Sequence, residues 1–349
     1  MRITVLGAGV TGLTCALELT DAGHDVTVIA DHGPGDTVSA VAGAIWFPYN
    51  VTVPDGPDLE RRSLARFVEL ARRAGAAVAD GADDVTDDIA PVELRHGFYR
   101  ERLDPPDRSW VPVVTGVLGE DAVTATGGGV EATLPMIMTP SYLAWLMDSC
   151  RIAGVRFRWR RVESLDLLVQ GAYDTEPPEA VVVCGGIRGG ELLGGDDEVF
   201  PVRGQVILVA NGTGEGGSPV LTDWYIDDDD PDAQTYVLPR VDEIVVGGVA
   251  EVGAWDGEPD ATTAADIYAR AVAAVPELGE LPVLGHGVGL RPGRSTLRLG
   301  LVDPRSLPES AAATVAGGVP VIAAYGHGGA GITLSWGTAE RVVAIVDGL

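Results

Sequence analysis

The run Arg2-Ile-Thr-Val-Leu6 passes straight into Gly7-Ala8-Gly9-Val10-Thr11-Gly12, and a second apolar run, Asp25-Val-Thr-Val-Ile-Ala30, ends at Asp31. The first run is short and rich in β-branched residues, as a buried strand requires. Between the two runs Leu13, Ala16, Leu17 and Thr20 recur on one helical face, and Gly23 closes the pattern. Strand, glycine loop, helix and strand make one β–α–β unit. An acid about twenty residues beyond the last glycine completes the fingerprint of a dinucleotide site. Gly7 permits the tight turn, Gly9 lets the backbone approach a pyrophosphate, and Gly12 lets the helix pack close to the strand. The helix N-terminus offers free N–H groups to the anion, and Asp31 is placed to accept hydrogen bonds from a ribose diol. A glycine-rich turn without a ligand is the alternative, and the placement of these glycines between a strand and a helix argues against it. The motif does not separate NAD from FAD.

Outward from this unit, residues 59–78 predict an amphipathic helix, with Leu64, Phe67, Val68 and Ala71 on one side and Arg and Glu on the other. Residues 80–130, rich in Asp, Gly and Pro, read as irregular. Helix returns at Ser141–Ala153, just after Pro140. Val155, Phe157 and Trp159 then alternate with Arg156, Arg158 and Arg160, which predicts a half-buried strand with a charged outer face. Ala180–Cys184 predicts a buried strand stopped by Gly185-Gly186, and 201–210, 236–239 and 243–250 predict further strands. A last strand, Val319–Ala324, leads through Gly326-His327-Gly328-Gly329-Ala330-Gly331 into a closing helix. Asp227–Asp230 is the one low-complexity patch; its four carboxylates read as a solvated loop rather than a cation site, since no EF-hand spacing follows.

Composition narrows the function. Lys+Arg 24 against Asp+Glu 51 leaves a net charge of −27, and all 24 cations are arginine. Such a surface repels nucleic acid and anionic membranes, so neither is an expected partner. Without lysine there is no side-chain Schiff base and no P-loop lysine. Cys15, Cys150 and Cys184 lack CxxC spacing, so neither a disulfide framework nor a zinc cluster is expected, and Cys150 reads as core filler. No metal site is expected. The chain opens without a signal-peptide pattern, and no apolar stretch reaches the roughly 18 residues of a membrane span. The expected compartment is the cytoplasm. Length alone predicts two domains, and a homodimer remains open.

A second glycine loop, Gly328, Gly329 and Gly331, precedes the final helix and offers a second helix N-terminus. Such a dipole suits the negative charge on a reduced flavin, although a plain tight turn explains the glycines too. Arg291, in Gly289-Leu-Arg-Pro292, presents a guanidinium at a strand end that suits bidentate binding of a carboxylate. Tyr236, in Tyr236-Val-Leu-Pro239, is either a site hydroxyl or a core tyrosine. Trp46-Phe47-Pro48-Tyr49 either walls a pocket or fills a core.

With these residues in view the chain resembles the D-amino-acid oxidase family of FAD enzymes, almost end to end. The likeness rests on Val5–Leu13, Val41-Ala-Gly-Ala-Ile-Trp-Phe-Pro-Tyr49, Pro201-Val-Arg-Gly-Gln205, Tyr236-Val-Leu-Pro239 with Gly247-Gly248 and Val252-Gly-Ala-Trp255, Gly289–Pro292, and Tyr325–Thr333 with Trp336. The resemblance implies an α/β fold: a discontinuous Rossmann-like FAD-binding domain (1–48, 141–200 and 285–349) plus a mixed or antiparallel β-sheet substrate domain (49–140 and 201–284). It implies that Arg291 clamps the substrate carboxylate, that the Tyr236 hydroxyl contacts it, and that the Gly329 carbonyl receives the amine. FAD contacts are implied for Gly43, Ala44, Ile45, Val162, Gly185, Gly328, Gly331, Ile332 and Thr333. The candidate cofactor set further takes in Gly7, Ala8, Gly9, Val10, Thr11, Gly12 and Asp31. To these it adds His32, Ser39, Trp46, Gly289, Arg291, His327, Gly329 and Ala330.

Two departures stand out. Animal members carry a second tyrosine on an active-site lid shortly before the Tyr236 position; here that stretch is Asp227–Gln234, and Tyr225 is the nearest candidate, out of register. Phe47 stands where relatives often place a polar residue, which points to an apolar side-chain pocket. The implied activity is oxidative deamination of neutral or apolar D-amino acids. A hydride passes to flavin N5, and O₂ is reduced to hydrogen peroxide. The alternatives are a glycine or sarcosine oxidase, a D-aspartate oxidase, a quinone-linked D-amino-acid dehydrogenase, and a flavoprotein without catalysis.

Overall fold

The structure is a computed structural model that describes residues 1–49, 51–53, 57–79, 89–173, 176–212, 219–227, 229–230, 234–307 and 318–349. Its α/β architecture is built on two sheets. In the first, the strand Arg2–Leu6 runs parallel to Asp25–Ala30 on one side and Ala180–Val183 on the other, placing Leu6 beside Ile29 and Val183. Arg156–Trp159 extends the sheet beyond Asp25–Ala30. At the other edge Val321–Tyr325 pairs parallel with Ala180–Val183, and Arg298–Leu301 runs antiparallel to it. Consecutive apolar residues in the central strands are buried on both faces, as parallel sheets require. The helix Val10–Asp21 leaves the carboxyl end of the first strand and packs against Thr139–Ala153 and the closing helix Ser335–Asp347. The chain therefore opens a crevice beside Leu6, where the strand order reverses and α/β sheets place their ligands.

The second sheet has nine strands and is mixed. Phe200–Ala210 lies one strand in from its edge, pairing antiparallel with the edge strand Val283–Gly293 on one side and with Glu243–Gly247 and Glu251–Val252 on the other. Thr235–Pro239 and Trp224–Asp227 continue it. Val92–Arg100 joins parallel to Trp224–Asp227, followed by Gly129–Ile137 and Val123–Thr126. A buried strut joins the sheets: Arg240 donates from Nη2 to the Ala42 carbonyl at 2.8 Å and to Thr139 Oγ1, while Nη1 meets Glu243 at 2.6 Å. The helix Asp58–Ala79 lies on the closing helix, where the Gly337 N–H donates to Ser63 Oγ at 2.7 Å.

Three expectations need correction. Of 80–130, residues 80–88 lie outside the described residues. The rest contains the strands Val92–Arg100, Val123–Thr126 and the start of Gly129–Ile137, with the helix Val111–Leu118 between. Polar residues at 93, 95 and 96 mask the strand's alternation, and five of the helix's eight residues are Val or Thr, which local propensity assigns to strands. Trp159, expected in the core, is 47% exposed and stacks on Phe157 at 5.6 Å, because its strand is an edge strand of only four residues. The acidic patch is a solvated loop only in part, since of its described residues Asp230 alone is exposed. Asp227 is buried against Arg102 Nε at 2.6 Å, and Asp229 accepts from the Tyr99 hydroxyl at 2.8 Å and from the Arg102 amide. Asp228 lies outside the described residues.

All three cysteines are free and buried. Cys150 is the core filler its spacing predicts: its thiol donates to the Leu13 carbonyl at 3.3 Å, and burial pushes its pKa up to about 12. Among the described residues no cluster of metal-ligating side chains occurs, and no helix is long and apolar enough to cross a membrane.

Candidate active site

A continuous cavity of about 480 Å³ runs from the first glycine loop to the face of the second sheet. Its volume falls within the range of small-molecule sites. At one end Gly7–Thr11 line it, together with Asp31, His32 and Ser39. Gly7 has φ +113, and a Cβ on it would lie 2.5 Å from the Cys184 carbonyl oxygen. A Cβ on Gly12 would lie 2.0 Å from the Gly7 oxygen, so the loop turns only where side chains are missing. Gly9 is the N-cap and supplies no capping side chain. Of the first-turn donors, the Val10 N–H is bonded to Ser39 Oγ at 3.1 Å.

Asp31 is not alone at this end. Arg188 donates to its carboxylate at 3.1 Å and also holds Glu191, and His32 stands 3.4 Å from the same oxygen. Arg160, Arg161 and Arg188 line the wall as well, none of them flagged by a motif. Further along, Gly43, Ala44 and Ile45 face the cavity, and Ala44 adopts a left-handed backbone, φ 60, that non-glycine residues avoid. Val162, Gly185 and Gly289 complete this part of the wall.

At the other end the strands Thr235–Pro239 and Val283–Gly293 bring Tyr236 and Arg291 together with the turn that holds Gly329. Arg291 lies along Gly204, whose Cβ would sit 2.5 Å from the guanidinium carbon. Its Nη1 donates to the Val249 carbonyl at 2.9 Å, and its guanidinium stands 5.7 Å from the Tyr49 ring. Among the described residues no carboxylate forms an ion pair with it, whereas the neighbouring Arg294 and Arg298 are both neutralised by Asp196. Tyr236 lies over Gly247 and Gly248, and a Cβ on either would enter its ring. A Cβ on Gly329 would lie 2.3 Å from Tyr49 Cδ1. Phe47 stacks on Tyr99 at 5.3 Å and meets Trp110 at 5.4 Å, giving this end an aromatic wall that Ile226 and Leu238 extend.

His327, Gly328, Gly329, Gly331, Ile332 and Thr333 line the cavity from the second glycine loop. The closing helix begins only at Ser335, whose N–H already bonds the Ile332 carbonyl, so the surface offered here is a turn and not a helix N-terminus. The His327 side chain points away, 3.1 Å from Thr338 Oγ1, and burial lowers its pKa to about 4.

Four sequence candidates do not reach the wall. Gly12 packs on Gly7 beneath it, and Ala330 is buried with Leu59, Leu297 and Leu334. Trp46 is wholly buried in the main core, because alternation along an extended segment turns Ile45 and Phe47 one way and Trp46 the other. Tyr225 is excluded in the same way: Ile226 faces the cavity, while the Tyr225 hydroxyl bonds Asp227 at 3.3 Å and its ring stacks near Phe98. The motif reading passed over Gln234, which does line the wall.

A family model described as FAD dependent oxidoreductase matches residues 2–345. The chain is 37% identical to the D-amino-acid oxidase of Rubrobacter xylanophilus, over 99% of this chain and 95% of that one. It is 33% identical to the D-amino-acid oxidase of Streptomyces coelicolor, over 99% and 97%. Among solved structures, glycine oxidase from Geobacillus kaustophilus superposes with a TM-score of 0.70 at 19% identity, covering 99% of this chain and 95% of that one, a likeness of fold.

Proposed function

This chain belongs to the FAD dependent oxidoreductase family, and from that premise we propose that it is a D-amino-acid oxidase for neutral and apolar substrates. The observation that carries the reading is Arg291: an arginine without an ion pair among the described residues, facing the same cavity as Tyr236 and Gly329. The residues present fit FAD. The side-chain-free cradle of Gly7, Gly9 and Gly12 suits a pyrophosphate, Asp31 suits a ribose, and the left-handed Ala44 segment suits close approach of a planar ring. FAD, when bound, would supply a two-electron acceptor for oxidation at the substrate Cα, with O₂ as the final acceptor. The overall change converts D-amino acid, O₂ and water into 2-oxo acid, ammonia and hydrogen peroxide.

The chain's own contribution is positioning. Arg291 and the Tyr236 hydroxyl fix the carboxylate, the Gly329 carbonyl accepts from the amine, and the Phe47 wall receives an apolar side chain. No strong base is required. His327 is unsuited to be one, since its imidazole is buried and turned toward Thr338. D-Aspartate would need a second cation, and Arg102, in the loop that follows the strand Val92–Arg100, is engaged by Asp227. In this reading 1–48, 141–200 and 285–349 form the cofactor domain and 49–140 and 201–284 the substrate domain, and the substrate lies between them, with Phe47, Arg291 and Gly329 reaching it from the cofactor domain. The three free thiols support a reducing compartment such as the cytoplasm.

The test is the visible spectrum of the FAD-loaded protein followed without oxygen, as D-alanine, D-valine, D-phenylalanine, D-aspartate, glycine, sarcosine and the L-forms are added in turn. Bleaching of the flavin band by neutral D-forms alone is expected, with one peroxide formed per 2-oxo acid once air is admitted. Bleaching by glycine and sarcosine but by no larger D-form overturns the reading.

A further inference from the structure

Gln234 is 3% exposed, yet it lines the cavity. It stands two and four residues before Tyr236 and Leu238, which line it as well, while Thr235 and Val237 between them face the other side of the sheet. The period of two puts the Gln234 side chain on the same face as the Tyr236 hydroxyl. Its backbone is pinned from behind: the Gln234 carbonyl accepts from Arg270 Nη2 at 3.1 Å and from the Gly248 N–H at 3.2 Å. Arg270 also donates to the Gly248 carbonyl at 3.0 Å, so one arginine of the helix Ala261–Ala274 fixes both segments on which Tyr236 rests. The side chain is pinned from the front, where Tyr49 donates its hydroxyl to Gln234 Oε1 at 2.6 Å. The Tyr49 ring in turn fills the space above Gly329 and stands 5.7 Å from the Arg291 guanidinium.

A carboxamide has one acceptor and two donors. With Oε1 occupied by the Tyr49 hydroxyl, what Gln234 has left is the Nε2 amide. Its neighbours at this end are those that would hold a substrate carboxylate. We propose that Gln234 is a further substrate-binding residue, donating from Nε2 to the carboxylate that Arg291 and Tyr236 hold, and that Tyr49 is the positioning residue that fixes the orientation of this amide. The inference rests on the oxidase reading. It assigns to Gln234 the second side-chain donor contact for which Tyr225 is wrongly placed.

Three variants of the FAD-loaded enzyme test it. Gln234→Leu removes the donor, and KM for D-alanine should rise about tenfold or more with kcat little changed, the loss expected for one hydrogen bond to a charged group. Gln234→Glu has nearly the same shape but turns an anion toward the substrate carboxylate. Its KM should be far higher at neutral pH and fall back toward the wild-type value as the pH is lowered, a dependence that a purely structural role would not produce. Tyr49→Phe frees the amide to turn and should raise KM several-fold while leaving the melting temperature near wild type. Binding of propionate, a carboxylate without the amine, is read separately from the flavin absorbance and should weaken in all three. Should Gln234→Leu fail to retain FAD, Gln234→Glu and Tyr49→Phe still decide. Wild-type turnover of D-alanine together with unchanged KM and propionate binding in the variants overturns the role of Gln234 alone. A wild-type flavin that no D-amino acid reduces overturns the oxidase reading instead.

Discussion

Replacing Arg291 by leucine removes the one guanidinium that this end of the cavity presents without a counter-carboxylate among the described residues. One of its edges is spent on the Val249 carbonyl at 2.9 Å, which aligns the group along Gly204 and leaves its remaining donors for a ligand. A bidentate, charge-assisted contact at a partly buried site is worth on the order of 2–4 kcal/mol. That converts to a loss of roughly 30- to 1,000-fold in kcat/KM for D-alanine. Arg291→Lys keeps the charge but not the fork, and its loss should fall between wild type and leucine. Most of the FAD should be retained, because the dinucleotide cradle lies at the other end of the cavity and Arg291 is only one of the candidate cofactor residues. The assay is steady-state oxygen uptake alongside anaerobic flavin reduction, with FAD content measured on the same samples. A leucine variant that keeps its FAD and stays within about threefold of wild-type kcat/KM refutes the assignment.

Other outcomes follow from neighbouring contacts. Gly204→Ala places a Cβ 2.5 Å from the Arg291 guanidinium, the mobile end of a long side chain, so the fold should tolerate it while the guanidinium is displaced. A KM raised about tenfold with little change in melting temperature is expected from steady-state and thermal-melt measurements, and an unchanged KM would show that the guanidinium is not held there. His327 is buried with its pKa lowered to about 4 from an ordinary 6.5, so the unfolded chain binds its proton first as the pH falls. Folded stability should therefore drop through that window, by up to about 3 kcal/mol for this group. Melting temperatures of His327→Gln should lose that part of the acid-side slope. The three thiols should resist a water-soluble thiol reagent in the native protein and all react after denaturation, because all are buried and the Cys150 pKa is raised to about 12.

The parts of the site legible in the sequence are those made by neighbours along the chain. The turn at Gly7, the close approach at Gly12 and the strand that ends at Asp31 are set within one β–α–β unit, so spacing alone announces them. The parts that were not legible depend on which way a side chain faces and on what arrives from elsewhere. Tyr225 and Ile226 differ by one position and hence by a face of the sheet, and Trp46 and Phe47 differ likewise by a side of their extended segment. The acidic run at Asp227 reads as solvated until Arg102, from a distant loop, is placed against it.

Taken alone, the chain of residues determined the dinucleotide crevice, the exclusion of lysine-dependent chemistry and, through its motifs, the family. Those depend on backbone conformation and composition, which are local properties. Tertiary structure decided that Arg291 stays without an ion pair among the described residues. Arg294 and Arg298 lose that freedom to Asp196, and Arg291 keeps it because its neighbours are glycine, tyrosine and a carbonyl. It also decided the place of Gln234, an unremarked glutamine until Tyr49 reaches it across 185 residues of chain. A hydrogen bond fixes its partners within about 3 Å in space and imposes no limit on their separation in sequence.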